Sequence, residues 1–229
     1  MTSIEGAADR PKLKLIVLGA TGATGRLIVT QALEHGHDVT ALARRPDAVG
    51  VSHPHLTVTR FDVLHPDLDL AGLVARHGAV LSALGSRERR PTTVYSTGVA
   101  AMAKVMESAG GGRLLCVSSA GVEIPRRLPW WQRVVMAQVI DRLYRYQYAD
   151  MVRMESRLRG ARLDWTVVRA PRLVDGPPGG PARVSLGDPI LDGGSLRRSE
   201  LARFMLDAVN QPETYGRVAY LASSRRPAP

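Results

Sequence analysis

The sequence predicts a doubly wound α/β domain, in which helices cover both faces of a parallel sheet. Short apolar segments alternate with segments whose apolar residues recur at helical spacing, and a glycine-rich turn follows the first apolar segment. Strands that alternate with helices in this way form βαβ units, whose strands run parallel. The sequence shows no internal repeat and no low-complexity linker, so we predict one domain.

The predicted elements follow from length, periodicity and end signals. Seven apolar segments have the length of strands: 13–18, 38–43, 56–61, 79–84, 113–118, 164–169 and 218–221. Helical spacing covers 24–35, 68–77, 94–109, about 131–159, and 200–209. Gly36 has the position of a helix C-terminal glycine, Ser199 that of an N-cap, and Pro212 follows the last helix.

The 229 residues suit a single domain. We assign 1–12 as a flexible N-terminal tail, 13–222 as the domain, and 223–229 as a C-terminal tail. The Gly- and Pro-rich stretch of about 171–194 is predicted to form a small cap over the site, at the C-terminal edge of the sheet.

Composition narrows the function classes. The net charge is +10, but Lys12, Lys14 and Lys104 are the only lysines, the arginines are scattered, and no nucleic-acid module is recognisable. No apolar run approaches the roughly 20 residues that cross a membrane. Cys116 is the only cysteine, which favours a reducing, cytoplasmic location. We therefore expect a small-molecule substrate, no nucleic-acid or membrane partner, and a monomer or homodimer.

The turn after the first strand has the pattern of a phosphate-binding loop. Its residues are Gly19, Ala20, Thr21, Gly22, Ala23, Thr24 and Gly25. Gly19 permits a tight turn, Gly22 lets the backbone approach a pyrophosphate, and Gly25 lets helix and strand pack closely. The N–H groups at the helix start then face the anion. The spacing GxxGxxG is a variant of the usual GxGxxG.

The end of the second strand distinguishes NADP from NAD. About twenty residues after the glycines, NAD-binding proteins usually place Asp or Glu on the ribose hydroxyl. Here Arg44 and Arg45 occupy that place, and a guanidinium forks onto a 2′-phosphate. We therefore predict NADP(H) as cofactor, although a solvated arginine pair is the alternative.

Two later strand ends offer further contacts. Asp62, after the third strand, is placed either to reach the adenine edge or as a turn residue before Val63. Gly85, Ser86 and Arg87, after the fourth strand, are placed beside the pyrophosphate and nicotinamide ribose. Arg87 is either a phosphate clamp or an exposed arginine.

Several motifs resemble the atypical short-chain dehydrogenases, and more narrowly the NmrA-like NAD(P)H-binding group that contains biliverdin reductase B, a flavin reductase. They are GATGATG from Gly19, FDV at 61–63, ALGSR ending at Arg87 with PTTV nearby, VSSAG at 117–121 and LDWTVVRAPRL at 163–173. The resemblance spans nearly all of 13–222 and implies a Rossmann fold with NADP(H).

By this resemblance, a set of loop residues contacts the cofactor: Thr21, Gly22, Thr24, Arg44, Asp62, Val63, Gly85, Arg87 and Ser118. Pro171, Arg172 and Leu173 would hold the nicotinamide amide. Ser119 matches the active-site serine of the biliverdin reductase B group, and its alternative is a strand-end cap.

The usual short-chain dehydrogenase acid is missing. That acid is a tyrosine whose pKa is lowered by a lysine four residues later. Tyr144, Tyr146 and Tyr148 are followed at that spacing by Tyr148, Asp150 and Val152. We expect Ser119 to orient the substrate, with Tyr148 as a possible but weak proton donor.

Other residues give weaker signals. His53 and His55 lie close in sequence but lack a third ligand, so no metal site is predicted. Trp130 and Trp131 are interpreted as core residues under the sheet, as the lining of an aromatic-substrate pocket, or as a dimer or lipid contact.

Two functions remain open. The first is an NADPH-dependent reductase of a flavin, a quinone or a secondary-metabolite intermediate, favoured by Ser119 and the predicted cap. The second is a non-catalytic NADP(H) sensor of the NmrA-like type, favoured by the missing lysine.

Overall fold

The structure is a computed structural model. It describes residues 11–65, 70–86, 88–125, 127–177 and 179–224, without the Asp141 side chain. The described residues form ten strands and six α-helices. The strands are β1 (Lys14–Leu18), β2 (Asp38–Ala43), β3 (Leu56–Arg60), β4 (Ala79–Ser82), β5 (Arg113–Ser119), β6 (Asp164–Ala170), β7 (Arg172–Val174), β8 (Arg183–Leu186), β9 (Ser195–Arg197) and β10 (Arg217–Ala222). The helices are α1 (Ala23–Glu34), α2 (Leu70–Val74), α3 (Val94–Ser108), α4 (Trp130–Leu143), α5 (Arg145–Arg159) and α6 (Arg198–Asp207).

The main sheet has the order β3-β2-β1-β4-β5-β6-β10-β8. Every pairing is parallel except that of β8 with β10, which is antiparallel. The strand order reverses between β1 and β4, which is the point where open α/β sheets bind ligands beyond the strand ends. The predicted doubly wound sheet is confirmed.

Side chains of β1 alternate between two apolar cores because successive residues of a strand point to opposite faces. Leu15 and Val17 pack with residues of α1 and α6, whereas Ile16 and Leu18 pack with residues of α3 and α5. None of the four is more than 1% exposed. The central strands are therefore buried on both faces, as a sheet covered by helices on both sides requires.

The predicted strands lie within two residues of the observed ends, and the predicted stop of α1 is confirmed. Gly36 has φ +78°, a left-handed conformation, and its N–H donates to the Leu33 carbonyl. Ser199 is not the cap of the last helix: α6 starts one residue earlier, and the buried Ser199 Oγ has no hydrogen-bond partner among the described groups. Glu200 caps instead, since its Oε2 accepts from the Arg197 N–H.

The long helix predicted over about 131–159 is two helices. The helical conformation is interrupted at Tyr144, whose φ and ψ are −131° and 3°. Helical periodicity alone missed this break because the apolar spacing continues across it. Positions 68 and 69 of the shorter predicted helix lie outside the described residues, and α2 ends at Val74.

The Gly- and Pro-rich stretch and the residues directly after it contain short strands that were not predicted. β8 extends the main sheet along β10, and β7 pairs with β9 in a separate two-stranded sheet. That this stretch covers the site stays a prediction. Of the two predicted tails, 1–10 and 225–229 lie outside the described residues, while Lys12 Nζ lies 2.8 Å from Asp38 Oδ1.

Candidate functional site

The glycine-rich turn joins β1 to α1 so tightly that two of its glycines have no room for a side chain. The Gly22 N–H donates to the Gly19 carbonyl at 2.9 Å, and Gly19 has φ +76°. A Cβ at Gly19 would lie 2.4 Å from the Ala83 carbonyl oxygen, at the end of β4. A Cβ at Gly25 would lie 2.1 Å from the Gly19 oxygen. The turn therefore closes against both neighbouring elements.

The first turn of α1 is open to an anion. Gly22 is its N-cap and makes no side-chain cap hydrogen bond. Within the described residues, the N–H groups of Ala23, Thr24 and Gly25 have no hydrogen-bond partner. Unpaired N–H groups at a helix start, together with the helix dipole, favour a negatively charged group.

Two arginines follow β2, and a third reaches the same segment from the start of α1. Arg44 and Arg45 directly follow β2, and both are exposed. No described carboxylate forms an ion pair with either. Arg26, in the first turn of α1, donates from Nη2 to the Ala48 carbonyl at 2.9 Å, so its guanidinium reaches the segment that follows Arg45. Sequence reasoning missed Arg26, although its position directly after Gly25 was a usable signal.

The predicted residues after β3 and β4 lie at the same edge of the sheet. Asp62 is half-buried, and its Oδ1 accepts from the Leu64 N–H at 3.0 Å. Val63 is buried in the core under Gly98. Gly85 is exposed, and the Ser86 N–H donates to Tyr95 Oη at 3.0 Å. Arg87 lies outside the described residues.

A carboxylate that sequence reasoning overlooked holds the start of α3. Asp150, which is fully buried, accepts from the Tyr95 N–H at 2.9 Å and from Ser96 Oγ at 2.5 Å. Tyr95 in turn binds the Ser86 N–H. Asp150 thereby links α5 to the loop after β4, a contact across 55 positions of sequence that no local pattern indicates.

The two predicted catalytic residues lie in contact. Ser119 ends β5, and its Oγ donates to Tyr148 Oη on α5 at 3.0 Å, while it accepts from the Gly121 N–H at 3.1 Å. The Tyr148 ring packs so close to Gly121 that a Cβ there would lie 2.7 Å from a ring carbon. Tyr144 stacks on Tyr148, with ring centroids 5.4 Å apart. Glycine at 121 is therefore needed for the Ser119–Tyr148 pair.

Burial favours the protonated form of the Tyr148 phenol. Burial raises the pKa of Tyr148 above its ordinary value, and the hydrogen bond from Ser119 only partly opposes this rise. The position four residues later is Val152, so no ammonium stabilises a phenolate from that position. The pair therefore presents two neutral hydroxyl groups.

Ser118 takes part in a buried ionic network instead of facing outward. Its Oγ donates to Glu155 Oε1 at 2.7 Å, and Arg169 Nη2 lies 2.6 Å from Glu155 Oε2. Arg169 also contacts Glu123 and the Tyr220 hydroxyl. Because the Ser118 hydroxyl has this partner, a cofactor contact from Ser118 stays a prediction. The network ties together the ends of β5 and β6 with α5 and β10.

An apolar cleft of about 320 Å³ lies against Tyr148. Its other lining residues come from the loop after β5 and from α4 and α5: Gly121, Val122, Ile124, Ala137, Ile140, Arg145, Ala149 and Val152. We name it the apolar cleft. Tyr148 lines the cleft and Ser119 binds its hydroxyl group from behind. A cleft with a carbon-rich wall and one tyrosine hydroxyl group is suited to an aromatic or conjugated small molecule.

Residues 19–212 match the model of a family described as NAD(P)H-binding. The chain belongs to this NAD(P)H-binding family. Its relatives include an uncharacterised chloroplastic protein of Arabidopsis thaliana, 26% identical over 92% of this chain and 76% of that protein. The resemblance found in the sequence is thereby confirmed at the level of the family.

Solved structures share the fold. An oxidoreductase from Lactococcus lactis is 17% identical, with a TM-score of 0.76, covering 93% of this chain and 92% of that one. An anaerobillin reductase from Escherichia coli O157:H7 is 20% identical, with a TM-score of 0.68, covering 94% and 100%. At these identities the likeness shows a common Rossmann-like fold.

The site fits the dinucleotide that the NAD(P)H-binding family implies. The unpaired N–H groups of α1 suit a pyrophosphate, and a Cβ at Gly22 contacts only the Gly19 oxygen, at 3.2 Å, so the open side of this residue is available to a ligand. Pro171 links β6 to β7, which begins with the exposed Arg172 and the half-buried Leu173. The contact of these three residues with a nicotinamide stays a prediction.

Trp130 and Trp131 are not core residues. Their exposed fractions are 76% and 54%, and neither lines the apolar cleft. The core interpretation is wrong because α4 contacts mainly α5 and lies away from the sheet.

His55 Nδ1 lies 2.9 Å from Asp38 Oδ1, and the described residues contain no group of three or more potential metal ligands. Among the same residues, no helix is long and apolar enough to span a membrane.

Proposed function

We propose that this protein is an NADPH-dependent oxidoreductase that reduces a small conjugated acceptor such as a flavin, a quinone or a secondary-metabolite intermediate. The observation that carries the proposal is the Ser119–Tyr148 pair beside the apolar cleft, at the sheet edge where the glycine-rich turn also lies. The bound nicotinamide would supply a hydride. The residues of the chain would bind the cofactor, orient the acceptor and exclude water from the site.

Arginine charge supports NADPH over NADH. Arg44 and Arg45 follow β2 without a described acidic partner, and Arg26 reaches the same segment. Hydrogen bonds between a guanidinium and a phosphate are charge-assisted, and each contributes roughly 1.5–3 kcal/mol. The ribose hydroxyl of NADH offers no charge to these groups.

The roles of the two hydroxyl groups follow from their hydrogen bonds. Ser119, held by the Gly121 N–H, would orient the acceptor, and Tyr148 would form the wall of the cleft. Because burial raises the pKa of Tyr148, the phenol is a weak acid at neutral pH. This suits an acceptor that takes its proton from water after reduction, as flavins and quinones do. The reductase among the solved structures is consistent with such chemistry on this fold.

Calorimetric titration tests the cofactor part of the proposal. NADPH should bind at least about tenfold more tightly than NADH, and Arg44→Glu should erase or reverse that preference. Arg217→Glu is the matched control, since Arg217 is exposed at the start of β10, at the opposite edge of the sheet. Equal affinities for the two cofactors would contradict the proposal.

A non-catalytic NADP(H) sensor is the second candidate, and the absence of lysine at position 152 favours it. A sensor would bind NADPH tightly, and none of the acceptors would cause NADPH oxidation. Cytoplasmic location stays a prediction, since the Arabidopsis relative is named as chloroplastic. The monomeric or dimeric state also stays a prediction.

A further inference from the structure

A second pocket, which we name the basic pocket, lies where the loop after β4 meets the junction of α4 and α5. Its volume is about 600 Å³. The described lining residues are Arg89, Gln138, Arg142, Leu143, Arg145 and Tyr146. Three of these six side chains are guanidinium groups, and none is acidic.

The positive charge of the basic pocket is not neutralised by the described chain. Arg89, Arg142 and Arg145 form no ion pair with any carboxylate whose side chain the structure describes. Arg145 donates to Tyr146 Oη at 2.5 Å, and its guanidinium carbon lies 4.4 Å from the centre of that ring. These contacts orient Arg145 without removing its charge. Like charges gathered in one concave site favour a bound anion.

The basic pocket and the apolar cleft share a residue. Arg145 lines both, and the first turns of α5 place Tyr146 in the basic pocket and Tyr148 in the apolar cleft. The two pockets therefore adjoin at the Arg145 side chain. Arginine binds carboxylate and phosphate oxygens with paired N–H groups, so these are the anions that the pocket suits.

We propose that the acceptor is itself an anion. Its conjugated body lies in the apolar cleft beside Tyr148, and a carboxylate or phosphate substituent is bound by Arg89, Arg142 and Arg145. This inference rests on the proposed reductase function and adds the charge of the substrate to it. The neutral analogue of a given acceptor fills the same cleft but leaves the three guanidinium groups without a partner.

The test compares pairs of acceptors that share a ring system, of which one carries an anionic substituent and the other does not. FMN and riboflavin share a ring system and differ by a phosphate, and a naphthoquinone carboxylate and its methyl ester form a second pair. Binding is measured first without NADPH, by quenching of flavin fluorescence, and turnover is then measured with NADPH. We expect FMN to bind at least about tenfold more tightly than riboflavin, with a preference that weakens as salt increases.

Variants assign the preference to the pocket. Arg142→Gln and Arg89→Gln should each reduce FMN affinity by about fivefold to tenfold, leave riboflavin within about twofold, and leave NADPH affinity unchanged. Arg142→Lys should restore part of the loss because it keeps the charge. Arg133→Gln is the matched control, since Arg133 is exposed on α4 and does not line the pocket.

The outcomes separate this inference from the proposed function. A charge preference in binding without any NADPH oxidation would contradict the reductase function but support the anion site. Turnover that is equal for charged and neutral partners of each pair would overturn the anion site and leave the reductase function intact. Loss of NADPH affinity in Arg142→Gln or Arg89→Gln would assign the pocket to the cofactor and also overturn the inference.

Discussion

The proposed site has a cofactor end and an acceptor end, and the two are built in different ways. The cofactor end is local: the glycine-rich turn, β1 and the start of α1 are consecutive in sequence, and steric contacts of glycines fix their geometry. The acceptor end is assembled from distant segments, since Ser119 contacts Tyr148 and Asp150 holds the start of α3. Under the proposed function, the local end would bind a constant cofactor and the assembled end would set which molecule is reduced.

The largest expected effect is at the cofactor end. Gly22→Val should weaken NADPH binding by at least about 100-fold, because a β-branched side chain blocks the backbone approach to the pyrophosphate. The fold should persist, since a Cβ at Gly22 meets only the Gly19 oxygen, at 3.2 Å.

Calorimetry and thermal unfolding measure the two effects of Gly22→Val separately. Gly160→Val is the control, because a Cβ there would lie 3.6 Å from its nearest neighbour, the Arg157 oxygen, at the exposed end of α5. Retained NADPH affinity in a folded Gly22→Val protein would remove the glycine turn from the cofactor site.

The next effect concerns the ionic network that supports the acceptor end. Arg169→Leu should lower the free energy of unfolding by about 3–5 kcal/mol, because it leaves Glu155 buried without its main cationic partner. Urea denaturation measures the loss. Arg183→Leu breaks a half-exposed pair with Asp192 and should cost less than about 1 kcal/mol. Similar losses in the two variants would mean that the network contributes no more than a surface pair.

The difference between the two ends also explains what the sequence could predict. The turn, the strand-end Arg44 and the Gly36 stop were predictable because each depends on neighbours in sequence. The partners of Ser118, Tyr95 and Asp150 were not, since a buried carboxylate on α5 looks like any polar helix residue until the fold places it.

The periodicity of the sequence failed to predict features that depend on tertiary packing. The break at Tyr144 lies within continuous apolar spacing, and Trp130 is exposed although its type favours burial. The short strands β7, β8 and β9 are three or four residues each, too short for an alternating pattern to indicate them. Ser119 and Tyr148 were both predicted as site residues, but nothing in the sequence indicated that their hydroxyl groups touch.

A smaller effect is expected from pH. Burial raises the pKa of Tyr148, so its phenol stays protonated from about pH 6 to pH 9, below even the ordinary tyrosine value of about 10. The rate of hydride transfer should therefore vary by less than about twofold over this interval. Single-turnover kinetics with a saturating acceptor measure it. A rate that falls tenfold toward pH 9 would contradict this expectation, because it would show that a group with a lower pKa than Tyr148 controls hydride transfer.

The most direct test of the reductase account is NADPH oxidation, followed by absorbance with a panel of flavins and quinones, for the wild type, Ser119→Ala and Tyr148→Phe. The account predicts turnover with at least one acceptor. It also predicts a loss of less than about tenfold in Tyr148→Phe, since removing a true general acid costs about 100-fold or more, and a larger loss in Ser119→Ala. Tight NADPH binding without oxidation by any acceptor would contradict the account and favour the sensor. Inactivation by Tyr148→Phe but not by Ser119→Ala would reverse the assigned roles.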